Sequence, residues 1–202
     1  MRKKLLILMI MFFILSIIFS SCGRDPQNTE KIIYYLKNLS SYSCNVNILI
    51  KNDKQQINYN GKQFYDSRYG ERFDLENNKI IIYKESKIYV KDIKRGNSYN
   101  IDKNFDSLFK FSFIEEYISL LYTNEKIENS FKKVENEEYQ VINLDIPGNN
   151  KNMYKAQLYV NIKDNVPAYA MIYDSKYKKR IEIKYTDFKA NVELKEDMFK
   201  IN

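Results

Sequence analysis

The chain has 202 residues, with 33 Lys and Arg against 26 Asp and Glu, two cysteines and no histidine. Lack of histidine removes the usual general base of Ser and Cys triads and the commonest metal ligand, and two cysteines are too few for a thiolate zinc site. The positive charge is spread along the chain rather than gathered into a stripe, so no nucleic-acid partner is expected.

Arg2, Lys3 and Lys4 precede Leu5 to Phe19, a run that is apolar except for Ser16. A spanning helix needs roughly 20 apolar residues, and this run stops short of that before Ser20 and Ser21. A positive start, an apolar run and a small-residue exit define a secretory signal peptide. Cys22 directly behind the two serines resembles the lipobox of bacterial lipoproteins, with Phe19 where that box usually has Leu. The resemblance implies a diacylglycerol on the Cys22 thiol, cleavage before it, and an N-acyl chain (palmitate or similar) on the new terminus. Each buried methylene contributes about 0.8 kcal/mol, and stable attachment takes two such anchors. Without residues 1–21 the chain keeps 30 basic and 26 acidic residues, a net charge of +4. Acylation of Cys22 leaves Cys44 alone, so no intramolecular disulfide forms. Cys44 lies in an apolar alternation and reads as a small buried hydrophobe.

Residues 23–28 form a polar tether. Ile32, Tyr35, Leu36 and Leu39 then recur at the spacing of an amphipathic helix. From Ser41 the period changes to two: Tyr42, Cys44, Val46, Ile48 and Ile50 share a face. Short runs rich in Ile, Val and Tyr follow, including 79–84 and 87–92, with turns at Asn77-Asn78, Glu85-Ser86 and Arg95-Gly96. This spacing predicts an antiparallel meander of about six strands. The stretch 104–124 breaks the pattern. Ser112 and Glu115 have the spacing of a capping box, and Ile114, Tyr117, Ile118 and Leu121 form a helical stripe. Residues 105–122 are the expected cover for the sheet. Strands then resume around 140–146, 154–162, 168–172 and 181–185, and Phe199 and Ile201 form a terminal apolar plug. A sheet with one apolar face must bury it. The expected fold class is therefore α+β, one large antiparallel sheet with helices on one face.

Chemistry-bearing patterns are few. Gly61-Lys62 runs into Gln63, so there is no phosphate loop, and no dinucleotide fingerprint occurs. The adjacent pairs Glu115-Glu116, Glu137-Glu138 and Glu196-Asp197 point away from one another on a helix or strand, so none is an acid/base pair. Phe105, Phe109, Phe111, Phe113, Ile114, Tyr117, Ile118 and Leu121 either line an apolar cavity or form core between helices and sheet. Lys176, Lys178, Lys179 and Arg180, around Tyr177, form the densest basic cluster and a candidate contact surface for anionic lipid or an acidic partner. No cofactor is expected beyond the acyl groups on Cys22, and no catalytic or metal-binding residue is assigned.

The C-terminal stretch adds more. Leu158-Tyr159-Val160-Asn161, then Val166-Pro167, then Tyr185-Thr186-Asp187-Phe188 with Asn191 and a closing Phe199, resembles the C-terminal half of LolA/LolB-like lipoprotein-sorting domains. That likeness implies a curved, half-open barrel with helices across the concave side, and acyl chains as a family ligand. With the lipobox, length and composition, the whole is more similar to the GerS group of germination lipoproteins of spore-forming anaerobes. That resemblance implies a non-enzymatic partner of a cortex peptidoglycan N-acetylmuramoyl-L-alanine amidase, in the pathway to muramic-δ-lactam. The amidase supplies zinc and catalysis. The alternative is a lipid or lipoprotein carrier with an open apolar cavity; a homodimer is the self-assembly to test for.

The expected organisation is a lipoprotein signal peptide at 1–21, lipidated Cys22 and tether at 22–28, and one LolA/LolB-like domain at 29–202. The expected location is extracytoplasmic, lipid-anchored, on the cortex-facing side of a forespore membrane. Replacing Cys22→Ala should leave the domain folded and shift it from the membrane to the soluble fraction. Retention of the variant in membranes would exclude lipidation as the main tether.

Overall fold

The computed structural model describes residues 26–76, 79–106, 108–124 and 127–200. Cys22, the Asn77-Asn78 turn and Ile201 lie outside them. One antiparallel sheet of eleven strands holds the chain together, in the order β6-β5-β4-β3-β2-β1-β11-β10-β9-β8-β7. The first meander is β1 (Ser41–Lys51), β2 (Gln56–Asp66), β3 (Gly70–Leu75), β4 (Lys79–Lys84), β5 (Lys87–Asp92) and β6 (Asn97–Asp102). The second is β7 (Glu128–Val134), β8 (Glu137–Asp145), β9 (Lys155–Asn161), β10 (Pro167–Tyr173) and β11 (Lys179–Ala190). The two meanders meet at β1 and β11, with Ile48 opposite Ile183 and Ile50 opposite Ile181. Strands β6 and β7 are the two edges, so the sheet is not closed into a barrel.

The period-two pattern decides which face is buried. On β1, Tyr42, Cys44, Val46 and Ile48 are all buried. Across the seam they meet Ile181, Ile183 and Tyr185, also buried. Burial pushes the Cys44 thiol up from its ordinary value, so it is held as a neutral thiol. The register slips between Ser43 and Asn45, opposite Asp187. Asp187 takes a left-handed φ of 51° there, and the Asn45 amide donates to its carboxylate at 2.6 Å. Such a bulge bends its strand and strengthens the local twist. It delivers Phe188 onto the Tyr42 ring at 5.1 Å.

Strands β8 and β9 of the second meander bury side chains on both faces. Ile142, Leu144, Leu158 and Val160 join the main core, while Tyr139, Val141 and Tyr159 make a second cluster on the opposite face with Tyr169 and Met171 packed against them. The rings of Tyr139, Tyr159 and Tyr169 lie 5.8–6.3 Å apart at steep angles. Edge-to-face geometry suits the negative faces and positive edges of aromatic rings.

Two helices cover the concave side. Helix α1 (Pro26–Lys37) takes in residues 26–28 of the expected tether. It buries Ile32 and Leu36, and Leu39 just beyond it. Its end is closed by Asn38, whose backbone and side-chain N–H groups both donate to the Tyr34 carbonyl at 3.1 and 2.8 Å. Helix α2 (Ile114–Thr123) buries Ile114, Tyr117, Ile118, Leu120 and Leu121. The expected cover at 105–122 is thus divided: tight turns occupy Lys103–Phe105 and Lys110–Ser112, and the α-helix starts only at Ile114. A third tight turn, Glu196–Phe199, places Phe199 as a buried plug 5.9 Å from the Tyr69 ring.

Gly61 marks the place of greatest crowding on the concave face. A Cβ there would fall 2.5 Å from the Asp74 carbonyl oxygen and 2.5 Å from the Phe73 ring. The Gly61→Ala variant should lower stability by about 1–3 kcal/mol through overpacking. Thermal unfolding measures this, and an unchanged midpoint would show that the Phe73 ring has room to give.

Candidate functional site

The concave face between the sheet and the helices is the natural place to look for a lipid cavity. Here it is filled. The Phe109 ring meets Tyr59 at 5.1 Å and Phe73 at 5.7 Å. Phe113 meets Phe73 at 6.3 Å and Tyr83 at 5.4 Å, and Phe111 meets Tyr117 at 6.5 Å. Phe113, Ile114, Tyr117, Ile118 and Leu121 are at most 4% exposed; Phe109 and Phe111 are half-buried. Phe105 departs from the group. It is 83% exposed, because it ends the first tight turn outside the edge of the sheet.

What positions this layer is a set of polar pins that the periodicity did not reveal. The segment 103–113 crosses from β6 toward α2 without regular backbone pairing. Buried backbone groups must nevertheless be satisfied. The expected capping box at Ser112 and Glu115 does not form. The N-cap is Phe113, which offers no side-chain acceptor, and the Tyr42 hydroxyl instead accepts the Ile114 N–H at 3.0 Å. Ser112 is engaged elsewhere: its hydroxyl donates to the Phe109 carbonyl at 2.6 Å and accepts from the Gln63 amide at 2.5 Å. Glu115 turns to the Tyr65 hydroxyl. The Tyr185 hydroxyl donates to the Ser112 carbonyl at 3.0 Å and the Tyr117 hydroxyl to the Phe111 carbonyl at 2.7 Å. The Tyr83 hydroxyl donates to Asp106, whose other oxygen accepts the N–H groups of Leu108 and Phe109. Gln63 was the legible signal, a polar residue at an inward position between Gly61 and Tyr65.

The motif residues have structural duties of the same kind. Tyr185 holds the crossing segment, Asp187 makes the bulge, and Phe188 stacks on Tyr42. Asn191, at a left-handed φ of 52°, accepts from the Ser40 N–H and hydroxyl, closing β11 against the start of β1. Asn161 accepts from the Lys163 N–H at 2.8 Å and donates to Glu137 at 2.9 Å, fixing the β9–β10 turn.

A carboxyl group is buried beneath this layer. Glu71 is 5% exposed. Loss of solvent raises its carboxyl to about 7, aided by Glu116 and Glu115 and opposed by Lys103 and Lys110. The Lys103 ammonium stands 3.8 Å away. Burial also raises Glu115. Among the described residues no group of three or more His, Cys, Asp or Glu is placed to hold a metal, and no helix is long and apolar enough to cross a membrane.

The basic cluster is mostly neutralised. Arg180 bridges two hairpins, meeting Asp174 at 2.6 Å and Asp53 at 3.0 Å. Lys178 lies 3.8 Å from Asp53 and Lys179 lies 2.5 Å from Glu182. Lys176 stands exposed beside them. Next to Arg180 an opening of about 350 Å³ is lined by Ile50, Leu108, Met153 and Ile181. That is near the lower end of small-molecule pockets, roughly 300–1,000 Å³.

The architecture is an open antiparallel sheet with two helices packed on one face. The model of the YdcC-like sporulation protein family matches residues 2–199, and the chain belongs to that family. No curated protein matches it. A conserved protein of Thermus thermophilus shares the fold at TM-score 0.55 and 9% identity, over 86% of this chain and 94% of that one. The structure of the CwlD amidase from Clostridioides difficile in complex with the GerS lipoprotein matches at TM-score 0.47 and 24% identity, over 83% and 96%. A LolA-superfamily protein of Nitrosomonas europaea matches at 0.43 and 13%, over 85% and 97%.

Glu71 makes stability depend on pH in a definite sense. Its carboxyl is raised from 4.5 to about 7 in the fold. Between those values the folded chain holds a proton that the unfolded chain has released. The stabilisation is therefore complete below about pH 4.5 and is lost as pH rises through about 7, by on the order of 3 kcal/mol. The Glu71→Gln variant should match the native chain near pH ~5 and exceed its unfolding temperature near pH ~8. Parallel profiles for the two proteins would remove Glu71 as the source.

Proposed function

We propose that this chain is a membrane-anchored, non-enzymatic lipoprotein that binds a cortex peptidoglycan N-acetylmuramoyl-L-alanine amidase and supports its activity. The amidase step leads toward muramic-δ-lactam, the cortex modification that germination enzymes recognise. The observation that carries the reading is the filled concave face: Phe113, Ile114 and Tyr117 are fully buried where a carrier would hold acyl chains. A chain whose interior is occupied by its own side chains acts through its surface. Family membership supplies the setting, sporulation. The partner class follows from the resemblance of the lipobox, length, composition and C-terminus together to germination lipoproteins, and the Clostridioides difficile complex is one pairing of an amidase with such a lipoprotein. The absence of histidine agrees with a division of labour in which the amidase holds the zinc.

In this reading residues 1–21 are the signal peptide, Cys22 carries the diacylglycerol and N-acyl chains, 23–28 lead into α1, and 29–202 form one domain. The anchored chain sits on the cortex-facing side of a forespore membrane. Affinity purification of the tagged chain from sporulating cells, with proteins and lipids both identified by mass spectrometry, tests this. Stoichiometric recovery of an amidase is expected. Recovery of lipid or a lipoprotein without an amidase would overturn the reading in favour of a carrier.

A further inference from the structure

Three loops converge at one end of the sheet: the β1–β2 hairpin, the β8–β9 loop and the β10–β11 hairpin. The last is built rigidly. Asp174 is 3% exposed, and one of its oxygens accepts the N–H groups of Lys176 and Lys178, each at 2.9 Å. Its other oxygen accepts from Arg180, which also holds Asp53 of the first hairpin. The Ser175 N–H donates to the Lys151 carbonyl at 2.8 Å, tying in the β8–β9 loop.

At the tip of this frame stands Tyr177, with a left-handed φ of 58°. That hairpin position favours glycine or asparagine, and a bulky residue there is an outlier. Strain of this kind gathers where a side chain has a task. The Tyr177 ring is 64% exposed, and Tyr154, 43% exposed, meets it edge-on at 6.3 Å and 86°. The Lys155 ammonium lies 5.9 Å from the Tyr177 ring and 3.4 Å from Asp145. Lys155 is also the wall of an open cleft of about 450 Å³, shared with Thr123, Glu128, Asp145 and Pro147. Segments 51–56, 145–155 and 173–182 together carry eight cationic side chains and four anionic ones. Among the described residues Lys54, Lys151 and Lys176 stand exposed with no ion pair.

We propose that this end binds a peptidoglycan glycan strand. An electron-rich aromatic face packs against the C–H face of a sugar ring, and Tyr177 presents one beside Lys155, whose cleft carries two carboxylates, Asp145 and Glu128, to accept sugar hydroxyls. The excess of lysines matches an anionic glycan. The choice of glycan rests on the amidase reading: hydrolysis of the muramoyl–alanine amide leaves the lactyl carboxylate on the sugar. Lys155, Lys151 and Lys176 are the cations that meet it. A rigid pair of perpendicular rings suits a discrete ligand with faces better than it suits a fluid lipid surface, which needs no fixed geometry.

The test uses the full-length chain in detergent, without amidase, co-sedimented with purified sacculi before and after digestion by an amidase, and separately with phosphatidylglycerol vesicles. The native chain should sediment with sacculi, more strongly after digestion. Tyr177→Gly should bind about tenfold more weakly, with its unfolding temperature unchanged or raised because glycine relieves the backbone. Equal binding by the two chains overturns the proposal, as does failure of the native chain to bind sacculi. Tyr177-dependent binding to vesicles alone overturns it in favour of a lipid surface. Amidase capture measured on the same two proteins separates the readings. Capture without sacculus binding overturns only the glycan site, and Tyr177-dependent sacculus binding without capture overturns only the amidase reading.

Discussion

Residues 108–113 pack on the core with only tight-turn hydrogen bonds of their own, and buried tyrosine hydroxyls complete their pairing. Tyr42, Tyr83, Tyr117 and Tyr185 each put a ring into the apolar layer and an oxygen against the crossing segment or the first turn of α2. A phenylalanine in any of these places would fill the same volume and leave a polar group unpaired, at a cost of about 1–3 kcal/mol. Tyrosine serves both needs at once. The same hydroxyls decide that the concave face is closed, since they hold Phe109, Phe111 and Phe113 down against Phe73 and Tyr83.

That layer needs a platform, and the platform is the seam between β1 and β11. Each meander alone is a sheet with unpaired edges; pairing the first strand with the last joins them. The slip opposite Asp187 curves the seam and brings Phe188 to Tyr42. Gly61 gives way where Phe73 crosses β2. Motif positions 185, 187, 188 and 191 therefore carry the architecture itself.

The proposed function then falls to the surface. The interior spends its polar groups on the crossing segment, and Glu71 is a deeply buried carboxylate left in partial conflict with its surroundings, the Lys103 ammonium 3.8 Å away. At the loop end, Arg180 draws two hairpins together through Asp53 and Asp174. Four basic residues adjacent in sequence thus become frame and rim: Lys178, Lys179 and Arg180 are held in ion pairs, while Lys176 and the Tyr177 ring face outward.

The two meanders, the helical interruption between them and the inward faces of β1, β9 and β11 were legible in the sequence, because burial on one side of a strand imposes a period of two. The apolar stripe of α2 and the burial of Cys44 were legible for similar reasons of periodicity. The capping of α2 was not. A Ser-x-x-Glu spacing is a local signal, and it lost to Tyr42, 72 residues away in the chain, and to Gln63, which claimed Ser112. Whether the aromatics of 105–121 form a cavity or a core was likewise undecided by pattern, since both require the same apolar residues. Only the tertiary structure placed Phe73 and Tyr83 against them, and only it set Asp53 and Asp174 beside Arg180. Charge pairing and ring packing depend on distances between strands remote in sequence, and composition and spacing hold no record of those distances.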